Sequence, residues 1–346
     1  EILRCLVGSE MCIRDRDMEM LLQTPSTVLG SCRYKLKDWH DDDTVYQKII
    51  HCFEQRQIGA FFYIGGNDSM DTALKLSQYA ASIGSDVRVI GVPKTIDNDL
   101  CLTDHTPGFG SAAKYIASTI LEIAHDTFSY PVPSVTIVEI MGRDAGWLTS
   151  ASALARNEYN TAPHLIYLPE APFDTAQFLA DVKELLKKQN TVIIAVSEGI
   201  RDKNGNYISA ASQTTDGFGH SHLSGAGKAL ENFVTSNIDI KVRSIEINVL
   251  QRSGAHISSA TDLTESFELG HHAVELAEEG VTGCMVTLKR LSSNPYKVAY
   301  GHENVAKIAN EIRSVPREWI NEAGNDVLPP MYEYLRPLII GEPDIR

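Results

Sequence analysis

Two carboxylates one residue apart, Asp97 and Asp99, follow a lysine in the stretch Pro93-Lys94-Thr95-Ile96-Asp97-Asn98-Asp99. A carboxylate beside a lysine suits removal of a proton from a hydroxyl, and the group as a whole suits phosphoryl or metal charge. The structural alternative is a capped turn, in which Asp97 or Asp99 accepts backbone N–H groups. Gly65-Gly66-Asn67-Asp68-Ser69 offers glycines that let backbone amides approach an anion at a helix start, or it is only a tight turn. Arg143, within Met141-Gly142-Arg143-Asp144-Ala145-Gly146, matches phosphate oxygens bidentately, unless it forms a surface pair with Asp144 that contributes little. Glu198, in Ser197-Glu198-Gly199, offers a carboxylate to sugar hydroxyls or is a loop acid. Arg243 and Arg252 read as flanking one further strand, where they hold a phosphoester or lie in solvent. His271-His272 reads as an exposed helix face. The chain carries no phosphate loop ending in Gly-Lys-Ser/Thr and no zinc spacing.

These groups need a scaffold, and the hydrophobic pattern supplies one. Apolar runs predict strands over 58–64, 87–92, 135–140, 165–168, 191–196 and about 245–250. Helical periodicity predicts helices from Asp41-Asp42-Asp43-Thr44 onward and over 70–82, 110–125, 146–156, 175–188, 225–235 and 265–279. Strands alternating with helices imply an α/β chain with parallel sheets covered on both faces. Five candidate groups each fall after a predicted strand, the place where open α/β sheets bind ligands. Packing accidents would not line up that regularly. Ser129-Tyr130-Pro131-Val132-Pro133, rich in turn formers, predicts the break between two domains.

With 346 residues the chain is long enough for about two domains. A formal net charge of −14 excludes non-specific nucleic-acid binding, so an anionic substrate needs locally gathered cations. Nothing approaches the ~20 apolar residues of a membrane span. The six cysteines stand at no metal or redox spacing, which fits a reducing cytoplasm. The first sixteen residues are set apart. Residues 5–16 can be back-translated into a common transposase sequencing adapter read in frame, so 1–16 are expected to be non-native and are left out of the fold.

Taken together, Leu29-Gly30-Ser31-Cys32-Arg33, the Gly65–Ser69 and Pro93–Asp99 stretches, Met141–Gly146, Ser197–Gly199 and Leu250-Gln251-Arg252 resemble the phosphofructokinase family, from about Pro25 onward. The resemblance implies two Rossmann-like three-layer domains with mainly parallel sheets. Residues 17–130 with about 251–305 would bind the donor phosphate, and 131–250 with about 306–346 would bind fructose 6-phosphate. It implies phosphoryl transfer to the sugar 1-hydroxyl with Mg2+, in a cytoplasmic homodimer or homotetramer. By position, Asp97 resembles the general base. Thr95, Asp97, Met141, Gly142, Arg143, Glu198 and Arg252 resemble the sugar-phosphate site, and Arg243 a residue reaching the neighbouring subunit's sugar phosphate. Asp99 resembles a group serving metal and phosphoryl, with Asn67 a weaker metal candidate where many members have aspartate. Arg33 resembles a cation that steadies the transferring group.

Gly66, Asp68, Ser69 and Lys94 fall at the donor. ATP-using members generally have glycine where this chain has Asp68 and Lys94. Asp68 would repel an adenosine α-phosphate while Lys94 neutralises a small, highly charged pyrophosphate, so the resemblance favours the pyrophosphate-dependent branch. Two further departures are Ser134, where ATP-type members often have arginine, and Val249, in place of a polar sugar-phosphate contact. The family's first strand and glycine-rich donor loop would lie upstream of residue 17, so the chain reads as amino-terminally truncated. The alternatives are an ATP-dependent enzyme, a non-catalytic sugar-phosphate-binding subunit, and a nicotinamide oxidoreductase, the last lacking a dinucleotide fingerprint.

Overall fold

Short apolar runs closed by glycine, proline or a polar turn form the strands. In the computed structural model, which describes residues 27, 30, 31, 34–208 and 225–342, they assemble into two four-stranded sheets. The first contains β1 (Ala60–Gly65), β2 (Arg88–Pro93), β7 (Cys284–Ser293) and β8 (Tyr296–Asn304), in that order. β1, β2 and β7 are parallel and β8 closes the row antiparallel to β7. The second sheet is parallel, ordered β4 (Leu165–Tyr167), β5 (Thr191–Ser197), β3 (Ser134–Ile140), β6 (Lys241–Glu246). β3 and β5 are buried almost throughout, as central parallel strands covered on both faces must be.

Register decides what stands at the strand ends. Gly65 is level with Pro93, and Ile140 is level with Ser197. Hence Gly66 stands beside Lys94 and Met141 beside Glu198.

The helices complete the layers. α1 (Thr44–Gln55) buries Tyr46, Ile49, Ile50 and Phe53 in the same core as Met70 and Leu76 of α2 (Asn67–Ser82). α8 (Ala260–Glu278) packs Leu269 and Leu276 against Ile90, Val92 and Val286 of the first sheet. α3 (Phe109–Phe128) leaves the Pro93–Asp99 loop but packs with the second sheet, sharing a core with Val138, Ile140, Ile193 and Ala195. Asp262 of α8 ties it back, accepting from Gly108 N (2.9 Å) and Ser111 N (3.1 Å) at the start of α3. α5 (Thr175–Leu186) and α6 (Ala226–Asn237) cover the other face of the second sheet through Phe178, Val182, Leu230 and Val234.

The expected helix over 146–156 breaks into α4 (Trp147–Ser150) and a 3-10 turn, Ala151–Ala155. The hydroxyls of Ser150 and Ser152 each bond back to a carbonyl three residues earlier (2.6 Å), competing with the α-helical ladder. The strand expected at about 245–250 runs instead over Lys241–Glu246, and Asn248 in the left-handed region (φ 50°) turns the chain into α7 (Leu250–Ser253). β6 is a half-exposed edge strand whose polar residues hide it, while the apolar residues beyond it resemble a strand. Arg243 and Arg252 therefore do not flank one strand: the first lies within β6 and the second on α7. The β7–β8 hairpin is not among the expected strands; its outer half carries exposed and polar residues that mask the strand pattern. Arg33 and residues 1–26 lie outside the described residues.

Candidate active site

The loop after β2 is held from below. Lys94 N donates to Gly65 O (3.0 Å) and Thr95 N to Pro107 O (3.2 Å). Thr95 Oγ1 receives Asp97 N (3.2 Å) and reaches Asp97 Oδ2 (3.3 Å), so the hydroxyl fixes the carboxylate's direction. A Cβ on Gly66 would stand 3.5 Å from Thr95 Cβ, which measures how closely the Gly65–Ser69 turn approaches that loop. Asp68, partly buried, lies in the first turn of α2, whose amino terminus favours anions. Ser69 sits beside it in the same turn, and Lys94 is exposed at the loop's edge.

Asp99 sits among like charges. Burial pushes its carboxyl up to about 7, helped first by the Asp97 charge and then by Asp144 and Asp68. Its Oδ1 is buried without a hydrogen-bond partner among the described residues. Asn67 is committed elsewhere: Nδ2 donates to Glu311 O (2.6 Å) and Oδ1 accepts from Asn310 N (2.7 Å).

The facing half hangs from the second sheet. Glu198 N donates to Ile140 O (3.0 Å), and Gly142 N to Glu198 Oε1 (3.3 Å). Gly142 (φ 143°) takes a conformation that a side chain would resist, and a Cβ there would meet Ala145 O at 2.6 Å. A Cβ on Gly199 would overlap the Arg143 carbonyl oxygen, so the Arg143 loop can lie against Ser197-Glu198-Gly199 only with glycine there. Asp144 pairs with Arg201, not Arg143. Arg143 Nε is buried and has no hydrogen-bond partner among the described residues. The two halves face each other electrostatically. Burial pushes Glu198 up to about 7, opposed by the Gly142 N–H, and the nearby Asp97 charge raises it further.

The phosphofructokinase family model matches residues 4–277. The chain belongs to the phosphofructokinase family. It is 41% identical over 330 residues to the pyrophosphate–fructose 6-phosphate 1-phosphotransferase of Halomonas elongata, covering 95% of this chain and 78% of that protein. The protein of the same name from Rhodospirillum rubrum is 41% identical over 337 residues, covering 95% of this chain and 81% of that one. The crystal structure of the pyrophosphate-dependent phosphofructokinase from Nitrosospira multiformis superposes with a TM-score of 0.85 at 36% identity, over 96% of this chain and 79% of that one.

Arg243 stands apart from the other candidates. It pairs in register with Thr136, five residues before Met141, and its guanidinium contacts Thr136 Oγ1 (3.1 Å), Thr127 Oγ1 (2.8 Å) and Asp126 (3.3 Å). Arg252 is exposed on α7. Two supporting residues were not singled out in the sequence. Buried Gln251 accepts from Met141 N (3.2 Å), joining α7 to the Met141–Gly146 loop. Glu170 Oε1 accepts from Gly146 N (2.8 Å) and Val315 N (2.9 Å), anchoring the other end of that loop. Gln251 stands inside Leu250-Gln251-Arg252, whereas nothing around Glu170 marks it.

Glu198 yields a prediction about stability. Its folded value lies above the unfolded one, so its proton stabilises the fold at low pH, and that contribution is lost as pH rises from about 4.5 through about 7. Glu198→Gln keeps the acceptor for Gly142 N. It is expected to raise stability at pH 8 by up to about 3 kcal/mol. Thermal unfolding at pH 5 and pH 8 checks the sign, since the gain belongs only at pH 8.

Proposed function

We propose that this chain transfers a phosphoryl group from pyrophosphate to the 1-hydroxyl of fructose 6-phosphate, giving fructose 1,6-bisphosphate and orthophosphate. One observation carries it: the Asp97–Asp99 loop of one sheet faces Arg143 and Glu198 of the other, in a chain 41% identical to relatives bearing that activity in their names. Asp97 accepts the hydroxyl proton, the freed oxygen forms the new bond to phosphorus, and the bridging P–O bond breaks to release orthophosphate. Thr95 aims Asp97. Arg143, Glu198, Arg252 and the Met141–Gly142 backbone hold the sugar phosphate. Lys94, with Arg33 from outside the described residues, balances charge on the donor, which lies against Gly66, Asp68 and Ser69.

A divalent cation such as Mg2+ fits Asp99, whose orphaned, buried oxygen sits among like charges. Among the described residues no three His, Cys, Asp or Glu are grouped as a metal cage. The donor's phosphate oxygens would complete the shell, as is usual for Mg2+. When bound, the cation neutralises phosphate charge. Asn67, tied to the 310–311 backbone, is left out of the set. The first sheet is assigned to the donor and the second to the sugar. Arg243, remote from the rest, is assigned to a neighbouring subunit's sugar phosphate in a cytoplasmic homo-oligomer.

The deciding test is orthophosphate release from pyrophosphate that depends on fructose 6-phosphate, run beside the ATP reaction. No turnover with pyrophosphate overturns the proposal. The donor preference has its own test. The double variant Asp68→Gly, Lys94→Gly is expected to gain ATP turnover by about tenfold, worth ~1.4 kcal/mol of barrier, while losing pyrophosphate turnover. Unchanged strict pyrophosphate dependence would count against the assigned roles of Asp68 and Lys94.

A further inference from the structure

Between the two acids of the catalytic loop lies Asn98, completely buried and in the left-handed region (φ 55°). Its side chain turns inward while its neighbours serve the site. Asn98 Oδ1 accepts from Thr106 N (3.1 Å), and Nδ2 donates to the hydroxyl of Tyr334 (2.8 Å), 236 residues later in sequence. Tyr334 belongs to the carboxyl-terminal helix α9 (Pro329–Leu335). Its hydroxyl donates to Asp104 O (2.7 Å), on the return limb of the same loop. One phenol oxygen thus closes the loop from behind.

The ring of Tyr334 has a second job. It packs on Trp147 (centroids 5.1 Å), which directly succeeds the Met141–Gly146 loop. Arg313 reinforces the joint. Its N–H donates to Asp99 O (2.8 Å), its carbonyl accepts from Trp147 Nε1 (2.8 Å), and its guanidinium lies over the Trp147 ring (4.3 Å). The loop holding Asp97 and the loop holding Arg143 come from different sheets and share this joint.

We propose that Tyr334, acting through Asn98, is a positioning residue that sets the placement of Asp97 and Asp99 relative to the sugar-side loop. The idea rests on the phosphoryl-transfer function proposed above and adds a residue that touches neither substrate. Its physical basis is that near-attack geometry tolerates little error, since a shift of ~1 Å costs on the order of 100-fold. Substrate binding draws mainly on Arg143, Glu198 and the donor-side residues, which the tie does not touch.

The test compares the wild-type enzyme with Tyr334→Phe, Asn98→Gly and the double variant. Tyr334→Phe keeps the ring on Trp147 and removes only the hydroxyl. Asn98→Gly keeps the left-handed backbone accessible and removes only the amide. With a turning-over wild type, each single variant is expected to lose about 10- to 100-fold in kcat, with KM for both substrates within about threefold. The double variant is expected to lose clearly less than the product of the two single losses, because both changes cut the Asn98–Tyr334 bond, although each also removes a bond of its own, Thr106 N to Asn98 or Tyr334 to Asp104. All rates are taken well below each variant's melting temperature. A kcat within about twofold of wild type in a folded single variant, even with a lowered melting temperature, assigns the tie to stability alone and overturns the proposal. Multiplying effects in the double variant overturn it as well. If Tyr334→Phe does not fold, Asn98→Gly decides by its own kcat. A wild type with no turnover refutes the phosphoryl-transfer function instead, so the two failures are told apart.

Discussion

Asp97→Asn is expected to lower kcat by about 10²- to 10⁴-fold, the usual contribution of a general base, with KM for the sugar phosphate nearly unchanged. The amide keeps the shape and still accepts at the oxygen nearest Thr95, so the hydrogen bonds that hold the loop survive. Basicity is what it removes. The same change also relieves crowding. The Asp97 charge helps to raise both Asp99 and Glu198, so its loss should let those carboxyls ionise more readily and raise folding stability near neutral pH. Activity and stability are thus expected to move in opposite directions. Steady-state kinetics and thermal unfolding of the same preparation measure both. A kcat within tenfold of wild type, or a clear loss of stability, would show that Asp97 is part of the scaffold and not the base.

The loops proposed to face substrate were marked in the sequence because most of them sit just beyond an apolar run. Once 87–92 and 135–140 read as strands, the topology of parallel sheets placed the loops at their carboxyl ends along one edge. Parallel register then did the pairing, setting Gly66 beside Lys94 and Met141 beside Glu198. The supporting residues were not legible, for an equally physical reason. Asn98 touches Tyr334, and His105 touches Glu265, across separations of 236 and 160 residues. No periodicity records such contacts. A buried tyrosine hydroxyl in α9 looks in sequence like any helical aromatic, and Asn98 looks like a turn former between two acids. β6 failed differently: as a half-exposed edge strand it lacks the apolar run that marked the others. Arg143 and Asp144 show the limit of adjacency, since the pair suggested by sequence is replaced by Asp144–Arg201.

His105→Leu is expected to be the most destabilising single change outside the site, by about 3–5 kcal/mol, the cost of breaking a buried ion pair from one side. His105 is 2% exposed and stands between two carboxylates, with Nδ1 2.8 Å from Asp104 and Nε2 2.6 Å from Glu265. Burial opposes a charge on the ring, but the hydrogen bonds and charges of Asp104 and Glu265 prevail and hold its pKa above the ordinary histidine value. Asp104 keeps a partner without it, because Arg290 donates through Nε (3.1 Å) and Nη2 (2.9 Å). Among the described residues, Glu265 retains only the Tyr296 hydroxyl (2.6 Å) as a hydrogen-bond donor to its side chain. Most of the loss is therefore expected to come from Glu265 left uncompensated, and His105→Leu, Glu265→Leu should recover part of it. The sign of the shift sets the pH dependence. A histidine raised in the folded state contributes stability that is whole below its unfolded value near 6.5 and is lost as pH rises through its folded value. Wild type should thus lose this contribution on the alkaline side, whereas the double variant, lacking both groups, should not show that component. Denaturant unfolding at pH 6 and pH 9 reads both effects. Equal pH slopes in wild type and double variant would mean that the His105 imidazole is neutral in the fold. The network would then be a set of ordinary hydrogen bonds, and the single variant should cost only about 1–3 kcal/mol.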